Sequence, residues 1–106
     1  MDLHEGVYGN VGGPTYESPS DSLWCRQAGM DSVGMSTAHE AIVALYCGLK
    51  VLAFSIITDM VSCDFDNDEP PNHEEIVKVA NAKAKQAETL VSRFLVKIRE
   101  NPDLLN

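Results

Sequence analysis

One acidic segment of the sequence has the spacing of a calcium-binding loop. Asp64, Asp66, Asp68 and Glu75 occupy positions one, three, five and twelve of such a loop, where carboxylate oxygens coordinate Ca²⁺. Position six requires glycine for a sharp turn, but Glu69 stands there and two prolines follow it. The residues before the segment have the pattern of a strand, whereas an EF-hand loop follows a helix. We therefore expect a solvated acidic loop and no metal site.

A glycine-rich segment, 6–13, is a second candidate for chemistry, because the backbone amides of glycine loops can bind phosphate. It lacks the Gly-Lys-Ser/Thr ending of a P-loop, and no helix begins directly after the glycines. The pattern favours a strand that runs into a tight turn at Gly12 and Gly13.

The remaining reactive side chains are scattered along the chain: His4, His39, His73, Cys25, Cys47 and Cys63. No two histidines have the spacing of a metal-ligand pair, and no cysteines form a Cys-x-x-Cys pair. An odd number of unpaired cysteines is typical of reduced thiols. Spacing alone also assembles no Ser–His–Asp or Cys–His arrangement.

The charge of the chain restricts its partners. A net charge of −8 argues against nucleic acid and against an anionic membrane, because both require clustered Lys and Arg. The longest strongly apolar run, 51–57, is too short to span a bilayer, and the first residues lack the features of a signal peptide. We expect a soluble protein in the cytoplasm.

The elements that must position any site follow from turn signals and hydrophobic spacing. A strand is predicted within 7–13, and Ser20 or Asp21 is predicted to cap a helix that Gly29 closes. A second short strand is predicted over 31–34.

The second half of the pattern is more strongly apolar. Thr37 is predicted to cap a helix over 38–47, with Gly48 just beyond its end. The continuous apolar run 50–58 has the pattern of a strand buried on both faces of a parallel sheet.

A loop over 63–72 then precedes a long helix, which begins near His73 and ends before Pro102. This order of elements predicts an α/β fold. Three short strands are too few for a stable parallel sheet, so we interpret 1–106 as a single partial domain.

Five segments in order carry a resemblance to a known family. They read EGVY followed by GGPTYE (5–17), GMDSVGMST (29–37), CGLKV (47–51), FSIIT (54–58) and NHEE (72–75). The first two are similar to the "EG-Y…GP-[ST]-[FY]-E" and "GAD-VGMST" motifs of trimeric purine nucleoside phosphorylases. The resemblance covers nearly the whole chain and corresponds to the C-terminal portion of that family.

The resemblance implies the C-terminal part of a mixed sheet flanked by helices, ending in a long helix. It implies a purine-salvage enzyme, a pentosyltransferase that converts a purine nucleoside and phosphate into free purine and ribose 1-phosphate. Inorganic phosphate would be the co-substrate, no cofactor would be needed, and the full-length form would be a homotrimer.

Transferred by motif, the resemblance also implies roles for individual residues. Glu17 would accept from N1–H of a 6-oxopurine and from the 2-amino group of guanine, with Tyr16 beside the base in a position where the family often has Phe. Met35 would pack against the ribose, and Ser36 would donate its hydroxyl to phosphate. His73 would bind the 5′-hydroxyl and is a candidate catalytic residue.

Asp59 departs from the family, which has Asn at this position of the purine site. It is the other candidate catalytic residue and a candidate contact of the purine edge. An Asn side chain both donates and accepts, so it can satisfy O6 and N7–H together, whereas an ionised Asp only accepts. The related methylthioadenosine phosphorylases resemble this chain here. The preference between 6-oxo and 6-amino purines stays open.

The family's other phosphate-binding residues have no counterpart in this sequence. We therefore expect the 106-residue chain alone to be inactive. Two alternatives to an enzyme stay open: an inactive truncated isoform that binds full-length subunits, and a nucleoside-binding module without turnover.

Overall fold

Two short parallel strands and the helix between them form the first part of the chain. The computed structural model describes residues 2–66 and 71–105. Strand β1 (Tyr8–Asn10) pairs in parallel with β2 (Ser32–Gly34), and helix α1 (Pro19–Gln27) makes the crossover between them. The predicted order of strand, helix and strand is confirmed.

Both strands are shorter than predicted, because local geometry ends the ladder at each side. Tyr8 lies opposite Ser32 at the first pair. Just before it, the Val7 amide donates to the Asp31 carboxylate at 2.7 Å and so has a side-chain partner, while the Val7 carbonyl accepts from the Asp31 amide at 2.9 Å. At the other end Gly13 has a φ of 59°, a conformation that turns the chain away from the sheet.

Helix α1 begins earlier than predicted, because Ser18 is its N-cap and not Ser20 or Asp21. The Ser18 hydroxyl accepts from the Asp21 amide at 3.3 Å, and the Asp21 carboxylate accepts from the Ser18 amide at 3.0 Å. This reciprocal pair is a capping box, with Pro19 in the first turn. The predicted end is confirmed, since Gly29 follows the helix with a φ of 84°.

We expect Ser18→Ala to lower the free energy of unfolding by about 0.5–2 kcal/mol, the usual cost of losing an N-cap. Hydrogen bonds from the Ser18 hydroxyl and amide hold the pKa of Asp21 below its ordinary value. A depressed pKa stabilises the fold above the unfolded-state pKa, and this contribution is lost as the pH falls through the folded-state value. The difference between wild type and variant should therefore shrink in acid. Urea unfolding followed by circular dichroism at several pH values measures it.

Ser20→Ala is the matched control, because Ser20 lies in the same helical turn but is not the capping residue. Equal losses of stability in the two variants at neutral pH would contradict the role of the capping box.

Helix α2 (Ala38–Tyr46) has the predicted position but not the predicted cap contact. Thr37 precedes it with a φ of 69° and a ψ of −54°, and its side chain makes no capping hydrogen bond. The end of the helix is as predicted, with Cys47 as C-cap and Gly48 at a φ of 75°.

The predicted strand over 50–58 is wrong, because residues 49–64 have no regular secondary structure. A parallel strand forms only when its backbone pairs with a neighbour, and the sheet in the described residues contains β1 and β2 alone. Leu52 and Phe54 are correspondingly half or more exposed. The irregular segment 54–61 instead forms one side of a cavity.

Helix α3 (His73–Glu100) confirms the predicted long helix. The Asn72 side chain caps it by accepting from the Glu74 amide at 3.0 Å, and the chain leaves the helix before Pro102. Acidic residues in its first turn and basic residues in its last turn complement the helix dipole. Residues 67–70 of the predicted acidic loop lie outside the described residues.

The few buried residues of the described chain belong to β1 and α1. They are Gly9 in β1 and Pro19, Ser22 and Cys25 in α1. The larger apolar side chains of the described residues are all at least partly exposed, including those on α2 and α3. The α/β fold class is confirmed, and no helix within 2–66 or 71–105 has the length and apolar character needed to cross a bilayer.

Candidate functional site

A cavity of about 920 Å³ brings together parts of the chain that are distant in sequence. Its walls come from β1, β2, α1, the start of α3 and the irregular segment 54–61. The volume is in the range of small-molecule sites in proteins. Four of the predicted site residues line it: Tyr16, Glu17, Ser36 and Asp59.

Glu17 is positioned by the elements on both sides of it. The chain turns at Gly13, and Glu17 then directly precedes Ser18, the residue that starts α1. Its side chain is half-buried in the cavity wall. An ionised carboxylate at this point can accept hydrogen bonds from ring N–H and amino groups of a ligand.

Asp59 lines the same cavity from the irregular segment 54–61. One oxygen of its carboxylate, Oδ1, accepts a hydrogen bond from the Met60 amide at 2.8 Å, which fixes the orientation of the group. The second oxygen, Oδ2, therefore has acceptor capacity for a ligand. Asp59 and Glu17 thus place two acidic side chains around one cavity.

Ser36 and Thr37 line the cavity at the start of α2. Their hydroxyl oxygens, Oγ and Oγ1, lie 3.3 Å apart. The Ser36 amide donates to the hydroxyl of Tyr8 at 3.3 Å, across 28 residues of sequence. Two hydroxyl groups at a helix N-terminus form an arrangement that can donate hydrogen bonds to an oxyanion.

His73 does not line the cavity itself but is hydrogen-bonded to a residue that does. Its Nδ1 lies 2.8 Å from the hydroxyl of Tyr16, although the two residues are 57 positions apart. In the tautomer protonated at Nε2, Nδ1 accepts the tyrosine proton and Nε2–H remains available to donate. A phenylalanine in place of Tyr16 could not make this contact.

Met35 lies against the glycine turn and outside the cavity lining. A Cβ atom added to Gly13 would overlap the sulfur of Met35, so the methionine side chain would have to move if Gly13 carried a side chain. Met35 is 61% exposed. Its role against a ribose stays a prediction.

The cavity also contains residues that sequence reasoning did not single out, notably Tyr8 and Arg26. Tyr8 belongs to the first family motif, EGVY, and its place in that motif is the sequence feature that could have predicted a role at the site. Arg26 lies in the last turn of α1, where a basic residue complements the helix dipole and is usually solvated, so the sequence contained no signal for a role in the cavity. Among residues 2–66 and 71–105, no group of three His, Cys, Asp or Glu side chains is arranged to hold a metal ion.

Comparison with known proteins identifies the family. A model of the phosphorylase superfamily matches residues 1–96. The chain is 42% identical over 97 residues to a purine nucleoside phosphorylase of Rattus norvegicus, covering 92% of this chain and 34% of the rat protein. It is 46% identical over 88 residues to the Saccharomyces cerevisiae purine nucleoside phosphorylase, covering 83% of this chain and 28% of that protein.

Solved structures agree with the sequence relatives. The Schistosoma mansoni purine nucleoside phosphorylase in complex with inosine has a TM-score of 0.83 at 36% identity, covering 87% of this chain and 32% of that one. The complex of the same protein with adenosine has a TM-score of 0.84 at 36% identity, covering 87% of this chain and 33% of that one. The chain spans about a third of the length of the relatives it matches. The predicted resemblance is confirmed: this chain belongs to the phosphorylase superfamily.

Proposed function

We propose that this chain contributes purine- and ribose-binding residues to a purine nucleoside phosphorylase. The observation that carries the proposal is the shared cavity, in which Glu17, Asp59 and Ser36 lie together with Tyr16. The relatives named purine nucleoside phosphorylase support the same function for this chain. The reaction breaks the glycosidic bond to the purine and forms a bond between C1′ and an oxygen of phosphate.

The two acidic side chains would bind the base. Glu17 accepts from N1–H of a 6-oxopurine, and Asp59 approaches the edge that carries the 6-substituent and N7. As the glycosidic bond breaks, negative charge develops on the departing purine, so hydrogen bonds to this edge become stronger in the transition state. A protonated Asp59 can donate to N7, whereas the ionised form suits a 6-amino group.

The remaining site residues would bind the sugar and the phosphate. Ser36 donates to phosphate from the start of α2, and His73 donates to the 5′-hydroxyl of the ribose. The hydrogen bond from Tyr16 at 2.8 Å holds the His73 ring in place. Met35 would pack against the sugar once the ribose occupies the space beside the glycine turn.

We further propose that the enzyme needs no cofactor beyond inorganic phosphate, acts in the cytoplasm and assembles as a homotrimer. Exposed apolar side chains on α2, among them Ile42, Val43 and Leu45, support an assembled state because such surfaces are normally covered by protein. The same surface favours one alternative, an inactive isoform that binds full-length subunits. The net charge of −8 supports the absence of nucleic-acid and membrane partners.

The test of the base-binding role is a titration of the ¹⁵N-labelled chain with guanosine. We expect guanosine to shift the amide resonances of Glu17 and Asp59, and Glu17→Ala to weaken binding by about ten- to a hundred-fold. The reason is the loss of a carboxylate that accepts from both N1–H and the 2-amino group, since hydrogen bonds to charged groups contribute about 1.5–3 kcal/mol.

Glu40→Ala is the matched control, because Glu40 is an exposed acid on α2 outside the cavity lining. Guanosine binding that Glu17→Ala and Glu40→Ala reduce equally, or no binding at any accessible concentration, would contradict the proposed function.

A further inference from the structure

The phenol of Tyr8 crosses the sheet to reach the start of α2. Tyr8 stands in β1, and Gly34 ends the neighbouring strand β2. A Cβ atom added to Gly34 would overlap the Tyr8 hydroxyl oxygen, so the missing side chain of Gly34 leaves the space that the phenol occupies. The hydroxyl then accepts a hydrogen bond from the Ser36 amide at 3.3 Å.

The backbone at this point has an uncommon conformation. Thr37 has a φ of 69° and a ψ of −54°, and the Ala38 amide donates to the Ser36 carbonyl at 2.7 Å. These values define a γ-turn of the positive-φ type, which is rare and strained for a residue with a β-branched side chain. Such strain persists only where surrounding contacts hold it, and it is concentrated at functional sites.

The strained turn determines where the two hydroxyls of the candidate phosphate site point. Ser36 and Thr37 are consecutive, so ordinary extended backbone would direct their side chains to opposite sides. In the turn, Oγ of Ser36 and Oγ1 of Thr37 instead lie 3.3 Å apart, and both residues line the cavity. The hydrogen bond from the Ser36 amide ties the first residue of this turn to the sheet through Tyr8.

We propose that Tyr8 is a positioning residue for phosphate: its hydroxyl holds the γ-turn at Thr37 and thereby directs the Ser36 and Thr37 hydroxyls toward the co-substrate. This inference rests on the proposed function, because it assumes that these hydroxyls bind phosphate. It assigns Tyr8 an effect on phosphate binding that is separate from purine binding, since Glu17 and Asp59 reach the cavity from other segments.

The first experiment uses the chain as it is. In Tyr8→Phe the ring remains and the hydroxyl is lost, so we expect the Ser36 amide proton to move upfield and to exchange faster with solvent in ¹⁵N–¹H spectra. Tyr46→Phe is the matched control, because Tyr46 is 93% exposed on α2. An unchanged Ser36 amide in Tyr8→Phe would overturn the proposal.

The second experiment uses a chimera in which this chain replaces the homologous third of the rat purine nucleoside phosphorylase. We expect Tyr8→Phe to raise KM for inorganic phosphate by about three- to ten-fold, the value of one neutral hydrogen bond, and to change KM for inosine less than two-fold. A merely structural role would raise both constants together, and that result would overturn the inference. A chimera of the wild-type chain without phosphorolysis would overturn the proposed function itself.

Discussion

The 106-residue chain on its own should release no measurable purine from inosine or adenosine, whereas its chimera with the rat enzyme should release purine in the presence of phosphate. Transition-state phosphate must be held by several donors at once, and losing a single such donor typically costs about a hundred- to a thousand-fold in rate. Among the described residues that line the cavity, Arg26 is the one Lys or Arg, and Ser36 and Thr37 supply hydroxyls at the start of α2. The chain also spans only about a third of its relatives.

The measurement is phosphate-dependent release of free base, followed by chromatography, for the chain, for the chimera and for the Ser36→Ala variant of each. Ser92→Ala on α3 serves as the control substitution, because Ser92 lies outside the cavity lining. Release of purine by the clean chain that Ser36→Ala abolishes would show that one third of the fold is sufficient for turnover, contrary to our proposal.

Asp59→Asn in the same chimera should raise the ratio of kcat/KM for inosine over that for adenosine by about ten- to a hundred-fold. In the proposed function, an ionised Asp59 would face O6 of a 6-oxopurine and repel it, while it would accept from the 6-amino group of adenosine. The hydrogen bond from the Met60 amide to Oδ1 determines which atom of the substituted side chain faces the purine. In the Asn variant the oxygen keeps this bond, so the amide nitrogen takes the place of Oδ2 and donates to O6. A mismatch with a charged acceptor of about 1.5–3 kcal/mol corresponds to the stated range.

The paired specificity constants are measured at neutral pH, with Asp66→Asn as the control for a lost surface charge. Asp66 is exposed and lies outside the cavity lining. The solved complexes of the Schistosoma mansoni relative with inosine and with adenosine make these two nucleosides the natural pair of substrates to compare. If the ratio stays the same or shifts toward adenosine, Asp59 does not contact the base edge.

Helix ends were predictable from the sequence because their signals are local. Glycines with positive φ follow α1 and α2 as expected, at Gly29 and Gly48, and the chain leaves α3 before Pro102. Each of these signals depends on residues within one helical turn. The start of α1 was harder to predict from the sequence, because Ser18, Ser20 and Asp21 are all good capping residues. Only the reciprocal hydrogen bonds between Ser18 and Asp21 select the first of them.

The family motifs could also be recognised in the sequence, and the resemblance predicted that Tyr16, Glu17, Ser36 and Asp59 belong to one site. Their presence in one cavity is a property of the tertiary structure, because no local rule brings segment 54–61 beside the residues before α1. The apolar run 50–58 shows most clearly what hydrophobic patterns cannot predict. Its composition suits a buried strand, but strand formation requires a paired neighbour, and hydrophobic periodicity carries no information about one.

Tertiary structure alone decided the contacts that orient the site. The hydrogen bond between Tyr16 and His73 joins residues 57 positions apart, and the one between Tyr8 and Ser36 joins residues 28 apart. The strained turn at Thr37 likewise could not be predicted from the sequence, because a threonine before a helix ordinarily indicates a capping residue. The physical reason is the same in each case: sequence patterns report the preferences of a few adjacent residues, whereas the direction of a functional side chain is set by whichever distant groups the fold packs against it.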